Sequence, residues 1–208
     1  MVISHKYRFI FVKTPKTAGT SLEVFLSGVC GDDDVLTPIE PHVPPHRARN
    51  YQAGGFYNHM PAREIRDRLE PEVWNSYFKF CVERNPWDKT ISHYYFLKGY
   101  LEQRNGSNEP LTLAKYFDRG MSCSSTDLYA DVDGRLIVDR VLRYEQLAED
   151  LKSIFSPLGI SFSGELGVRA KSEYRSDRRH YREILDDSQR DLIANMFARE
   201  IALFGYRF

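Results

Sequence analysis

Little in this sequence asks for a staple, a metal cage or a membrane. Its 208 residues hold three cysteines, Cys30, Cys81 and Cys123, an odd number with no C-x-x-C pair. Neither a disulfide framework nor a cysteine zinc site is supported. Unpaired thiols suit a reducing compartment, and Cys81, inside the run Phe80-Cys81-Val82, reads as a small buried hydrophobe. Neither sign of charge is in excess: 29 Lys and Arg stand against 29 Asp and Glu. That balance argues against a general nucleic-acid binder, which would be basic. The chain opens without an apolar leader, and no apolar run approaches membrane-spanning length. A soluble, cytoplasmic protein without a membrane span is therefore expected. Internal repeats and low-complexity segments are missing, and the length suits one large α/β domain with a sizeable core.

What is present centres on Tyr7 to Ser21, YRFIFVKTPKTAGTS. Phe9, Ile10, Phe11 and Val12 form a short β-branched and aromatic run that reads as a buried strand. After the small-residue turn Thr14 to Gly19, Leu22, Phe25 and Leu26 fall on one face of a helix. A strand, a tight loop and a helix start make a cradle for an anion, because the first helical N–H groups are unpaired and carry the positive end of the dipole. Lys16 adds a full charge, and Thr17, Thr20 and Ser21 add hydroxyls. The anion is not specified by this geometry. The triphosphate loop, G-x-x-x-x-G-K-[ST], has its Lys after the second Gly; here Lys16 precedes Gly19 and the first Gly is missing.

Elsewhere the pattern predicts irregular chain over 32–58, where Pro38, Pro41, Pro44 and Pro45 forbid a regular helix. His42 and His46 lie there without a carboxylate or thiol to complete a ligand set. A helix is expected over about 61–69 and a second buried strand over 78–84. Asn85-Pro86 then supplies an N-cap and a first helical residue, followed by Trp87, Ile91, Tyr94 and Tyr95 at helical spacing. Arg84 thus stands at the carboxyl end of a strand, the edge where open α/β sheets bind ligands. Residues 102–126 read as a polar loop with a short helix near 111–117. A hairpin over 128–138, a strand at 141–144 and a helix over 145–158 follow. The stretch 164–182 is basic and loop-like, and an amphipathic helix over 188–204 closes the chain.

Four separated blocks resemble the sulfotransferase family in its carbohydrate-type branch: TPKTAGTS at 14–21, HMPAREI at 59–65, FKFCVERNPWDKTISHYY at 78–95 and FGYRF at 204–208. RYEQLAEDL at 143–151 is similar to family sequence as well. The resemblance implies a P-loop NTPase-like sulfotransferase fold: an α/β single domain over 1–208 with a mostly parallel central sheet flanked by helices. It implies transfer of a sulfuryl group from 3′-phosphoadenosine 5′-phosphosulfate (PAPS), released as 3′-phosphoadenosine 5′-phosphate (PAP), to a hydroxyl of a carbohydrate or small molecule, with no metal required. By the same resemblance Lys16, Thr17, Ala18, Gly19, Thr20 and Ser21 hold the 5′-phosphosulfate, and Lys16 stabilises the leaving phosphate. Arg84 and Ser92 take the 3′-phosphate, and Lys171 and Ser172 close over the nucleotide. His59, inside the block that resembles the family's catalytic His region, is the expected general base, with His93 next in line. Arg84 as a structural salt bridge, a P-loop-type nucleotide kinase and a catalytically inactive nucleotide-binding module stay open as alternatives.

Overall fold

Alternation of large apolar residues builds the first layer. Val2–Ser4 (β1) and Phe9–Phe11 (β2) pair antiparallel, Ile3 opposite Ile10. The chain leaves β2 through the small-residue loop and enters the helix Gly19–Val29 (α1). Val35–Leu36 (β3) returns antiparallel to β1, inside the proline-rich stretch expected to be irregular. Ala62–Arg68 (α2) and Pro71–Ser76 (α3) precede the strand Phe78–Glu83 (β4), which lies parallel to β2 with Phe11 opposite Phe80. The computed structural model describes residues 1–105, 110–168, 170 and 174–208, with only the backbone of 104 and 105.

Beyond β4 come the long helix Pro86–Asn105 (α4) and the short helices Leu113–Asp118 (α5) and Thr126–Tyr129 (α6). Arg140–Arg143 (β5) adds a last strand parallel to β4, and Leu147–Phe155 (α7) follows it. Tyr181–Ile184 (α8), Asp187–Met196 (α9) and Ala198–Phe204 (α10) end the chain. The sheet order is β3-β1-β2-β4-β5. Its parallel part, β2-β4-β5, carries the loop into α1, and the antiparallel pairs lie toward the β3 edge. The chain is thus α/β with a mixed sheet whose parallel strands were legible in advance.

These elements form two compact units, Met1–Glu83 with Ser125–Ala170, and Arg84–Ser124 with Lys171–Phe208. In the first, Val2, Phe9, Phe11, Phe80, Val82 and Leu142 line one sheet face and pack against Leu22 and Leu26 of α1 and Leu151, Ile154 and Phe155 of α7. Ile10 and Cys81, on the other face, are also fully buried, so neither face of the central strands is wet, as parallel strands require. In the second unit Trp87 and Ile91 of α4 pack with Tyr181, Leu185, Ile193, Phe197 and Tyr206. The aromatic stripe of α4 is therefore core.

Two expectations are corrected. Of the hairpin, a single bridge between Ala130 and Leu136 forms, because Leu128 is wound into α6. The buried Tyr129 is anchored by its hydroxyl, which donates to Glu83 Oε2 at 2.9 Å. The last helix breaks at Phe197, whose backbone leaves the helical region (φ −113°, ψ 23°) while its ring is buried. Among the described residues no helix is long and apolar enough to cross a membrane.

Candidate functional site

The loop between β2 and α1 is shaped by backbone strain and tied down by hydroxyls. Lys16 and Ala18 both adopt left-handed backbone (φ 62° each), with Thr17 between them outside that region. Left-handed conformations cost a non-glycine residue on the order of 1 kcal/mol or more. Alternation of hand turns successive N–H groups toward one side, the nest arrangement that receives anions. The Thr14 hydroxyl donates to the carbonyl of Val82 near the end of β4, and the Thr17 hydroxyl donates to the Thr14 carbonyl at 3.0 Å. Thr17 is thus a staple of the loop, and its hydroxyl is spent on shape.

At the start of α1 the residue in the cap position is Ala18, which makes no side-chain cap hydrogen bond. Leu22 N–H bonds back to Ala18 O at 3.0 Å, so Gly19, Thr20 and Ser21 are the positions whose N–H groups the helix itself does not use. Gly19 is required by close approach: a Cβ there would lie 2.8 Å from Cγ of Lys13 and 3.4 Å from the Thr14 carbonyl oxygen. Ser21 Oγ accepts from Ala170 N–H at 3.1 Å, bringing the late stretch of the first unit onto the first turn of α1. Lys171 and Ser172, the residues expected to close the nucleotide site, lie outside the described residues.

Lys13 is the residue that sequence reasoning left without a role. Its ammonium is buried and pairs with Glu23 of α1, which also receives the Met1 amine. Burial works against the Glu23 carboxylate, but these two cations outweigh it and hold the carboxyl below its usual range. The carbonyl of Lys13 lies 3.1 Å from His59 Nδ1. A carbonyl only accepts, so Nδ1 carries the proton and Nε2 keeps its lone pair. Burial, then the Lys13 charge and the Met1 amine, lower the His59 pKa to about 4. His59 is therefore neutral at pH 7 and in the form that takes a proton. Its own backbone is left-handed (φ 60°). The loop and His59 are thus joined through Lys13.

In the second unit Arg84 and Asp88 are one helical turn apart, and Ser92 lies one turn further on the same face. Arg84 is 8% exposed and donates through Nε (2.9 Å) and Nη2 (2.6 Å) to Asp88 Oδ2. Arg175, from the basic stretch, donates to Asp88 Oδ1 at 2.7 Å. Burial raises the Asp88 pKa, but Arg84 and Arg175 outweigh it and bring the carboxyl below its usual value. Ser92 is half-buried on α4. The alternative base His93 shares a 2.8 Å hydrogen bond with the buried Tyr116 hydroxyl. The spacing of Arg84 and Ser92 was read from the sequence; Asp88 between them and its partnership with Arg175 were not. Among the described residues no group of three His, Cys, Asp or Glu is placed to hold a metal.

No protein-family model matches the chain. It is 30% identical to an uncharacterized protein of Archaeoglobus fulgidus over 128 residues, 61% of this chain and 100% of that protein, and belongs to one family with it. Carbohydrate sulfotransferase 10 of Xenopus laevis is 29% identical over 92 residues, which cover 43% of this chain. The matched stretch spans 23% of that protein's length. The crystal structure of mouse sulfotransferase SULT7A1 complexed with PAP is similar to 95% of this chain and 86% of its own, with a TM-score of 0.55 and 14% identity. The fold is that of a sulfotransferase.

Proposed function

We propose that this chain is a PAPS-dependent sulfotransferase, with its two units acting as one sulfotransferase domain over residues 1–208. The observation that carries the reading is the loop before α1. Two left-handed residues, a helix start without a side-chain cap and Lys16 together fit an anionic tetrahedral group such as a phosphoryl or sulfuryl group. The sulfotransferase fold and the partial likeness to a carbohydrate sulfotransferase support it. The acceptor is a hydroxyl of a carbohydrate or small molecule. The odd cysteine count, without a C-x-x-C pair, supports a cytoplasmic location.

In this reading Lys16 and the N–H groups of Thr17, Ala18, Gly19, Thr20 and Ser21 bind the 5′-phosphosulfate. Arg84 and Ser92 bind the 3′-phosphate through a guanidinium fork and a short hydroxyl donor. Lys171 and Ser172 close over the nucleotide. The acceptor oxygen attacks sulfur as the bond from sulfur to the 5′-phosphate oxygen breaks. The acceptor proton passes to His59 Nε2, and the negative charge left on the phosphate is met by Lys16 and the loop donors. These cations and backbone dipoles are in place before the reaction, so no metal is assigned a step.

Thermal shift tests the donor site directly. PAP is expected to stabilise the protein more than AMP, ATP or ATP with magnesium, and labelled sulfate is expected to move from PAPS to a hydroxyl in a panel of sugars and small alcohols. Stabilisation by ATP with magnesium above PAP would instead favour a phosphoryl-transferring kinase. Binding of PAP with no transfer to any acceptor would favour a nucleotide-binding module.

A further inference from the structure

The binding roles of Arg84 and Ser92 leave the carboxylate between them unexplained. Asp88 is held rigidly before it touches anything else: Asn85 Oδ1 accepts the N–H groups of Trp87 (3.1 Å) and Asp88 (3.3 Å), fixing the first turn of α4. Its two oxygens are then divided between two arginines. Oδ2 takes both Nε and Nη2 of Arg84, and Oδ1 takes Nη1 of Arg175.

Arg175 is 87 positions away in sequence from Asp88 and is restrained on its other edges too. Its Nε donates to the carbonyl of Asp177 at 3.0 Å and its Nη2 to the carbonyl of Arg179 at 2.8 Å. Asp177 is itself matched by Arg179 at 2.7 Å. One carboxylate cannot neutralise two guanidinium groups. It can, however, fix two long side chains that would otherwise lose rotamer freedom when a ligand binds. The Asp88 side chain is 23% exposed and that of Arg175 20%, so neither charge is fully screened by water.

We infer that Asp88 is a positioning residue that holds Arg84 and Arg175 as a two-arginine clamp on the 3′-phosphate of the nucleotide, with Arg175 a binding residue. This rests on the sulfotransferase reading. Two effects of Asp88 oppose each other. Its charge repels a phosphate, and its hydrogen bonds pre-set the arginines that attract one. Asp88→Asn separates them by sign: if repulsion dominates, affinity for the phosphate rises, and if positioning dominates, it falls.

The test compares dissociation constants for PAP and for AMP, which lacks the 3′-phosphate, in the full chain. Wild type is expected to prefer PAP. Asp88→Asn and Arg175→Met should each weaken PAP roughly tenfold or more, the worth of a charge-assisted hydrogen bond, and leave AMP nearly unchanged. The double variant should lose little beyond the larger single loss, because the two residues share one contact. Arg175→Lys, which keeps the charge and loses the fork, should fall between wild type and Arg175→Met. If Asp88→Asn does not fold, Arg175→Met carries the comparison, since it leaves the Arg84–Asp88 pair intact. Tighter or unchanged PAP binding in these variants, or an equal loss for both nucleotides, overturns the inference alone. A wild-type chain without preference for PAP over AMP overturns the sulfotransferase reading and this inference with it.

Discussion

Replacing His59 by Asn tests whether this residue, the base in the proposed reaction, is held neutral by its surroundings. Asn is the substitution of choice because position 59 is left-handed (φ 60°), where Asn is the best tolerated of the non-glycine residues. The folded protein lowers the His59 pKa from 6.5 to about 4. Between those values the unfolded chain binds a proton that the folded chain does not, so stability rises with pH from about 4 to 6.5 and is complete above. Falling pH removes it. The gap of about 2.5 pH units, at 1.36 kcal/mol each, gives an upper bound of about 3 kcal/mol. About 2 kcal/mol of this lies between pH 7 and pH 4.5. For a chain of this size that is about 4–8 °C in melting midpoint. Glu23 and the Met1 amine titrate in both proteins, so their contributions largely cancel in the difference. The assay is thermal or urea denaturation of wild type and His59→Asn at pH 7 and pH 4.5. Wild type should lose about 2 kcal/mol more than the variant on acidification. Equal losses, or a steeper loss in the variant, would refute the buried neutral imidazole. In the same variant turnover should drop by about two to four orders of magnitude, and the acid limb of the wild-type rate profile, centred near pH 4 in the free protein, should vanish.

Lys16→Ala should lower the single-turnover rate more than it weakens the donor's dissociation constant, since its charge matters most where leaving-group charge develops; a large binding loss at an unchanged rate would contradict that role. Gly19→Ala should cost about 1–3 kcal/mol of stability, read from urea midpoints, because its Cβ would meet Lys13 Cγ at 2.8 Å and the Lys13 stem is tethered by Glu23. Wild-type stability in that variant would mean Lys13 yields freely. EDTA should leave sulfuryl transfer from PAPS unchanged, and activity lost to EDTA and restored by magnesium would shift the case to phosphoryl transfer.

Sequence alone determined the strand, loop and helix around Lys16, the strand expected over 78–84 and the helix start at Asn85-Pro86, because each is written in neighbours a few positions apart. The run Phe9-Ile10-Phe11, the small residues to Gly19 and the Asn-Pro cap need no distant partner to be read. The three-residue β1 and two-residue β3 carry no such signal; they exist because the sheet supplies their hydrogen bonds. Likewise the helix breaks at Phe197 because its ring is drawn into the cluster around Trp87 and Ile193. For the candidate site, the sequence offered Lys16, His59, Arg84 and Ser92 as candidates by residue type and did not offer their states. Only tertiary structure put Lys13 on Glu23, turned the His59 Nδ1 proton to the Lys13 carbonyl, and set Arg175 on Asp88. A charge's partner and a base's pKa depend on desolvation and on which distant groups the fold brings within a few ångströms, and neither quantity is carried by local sequence.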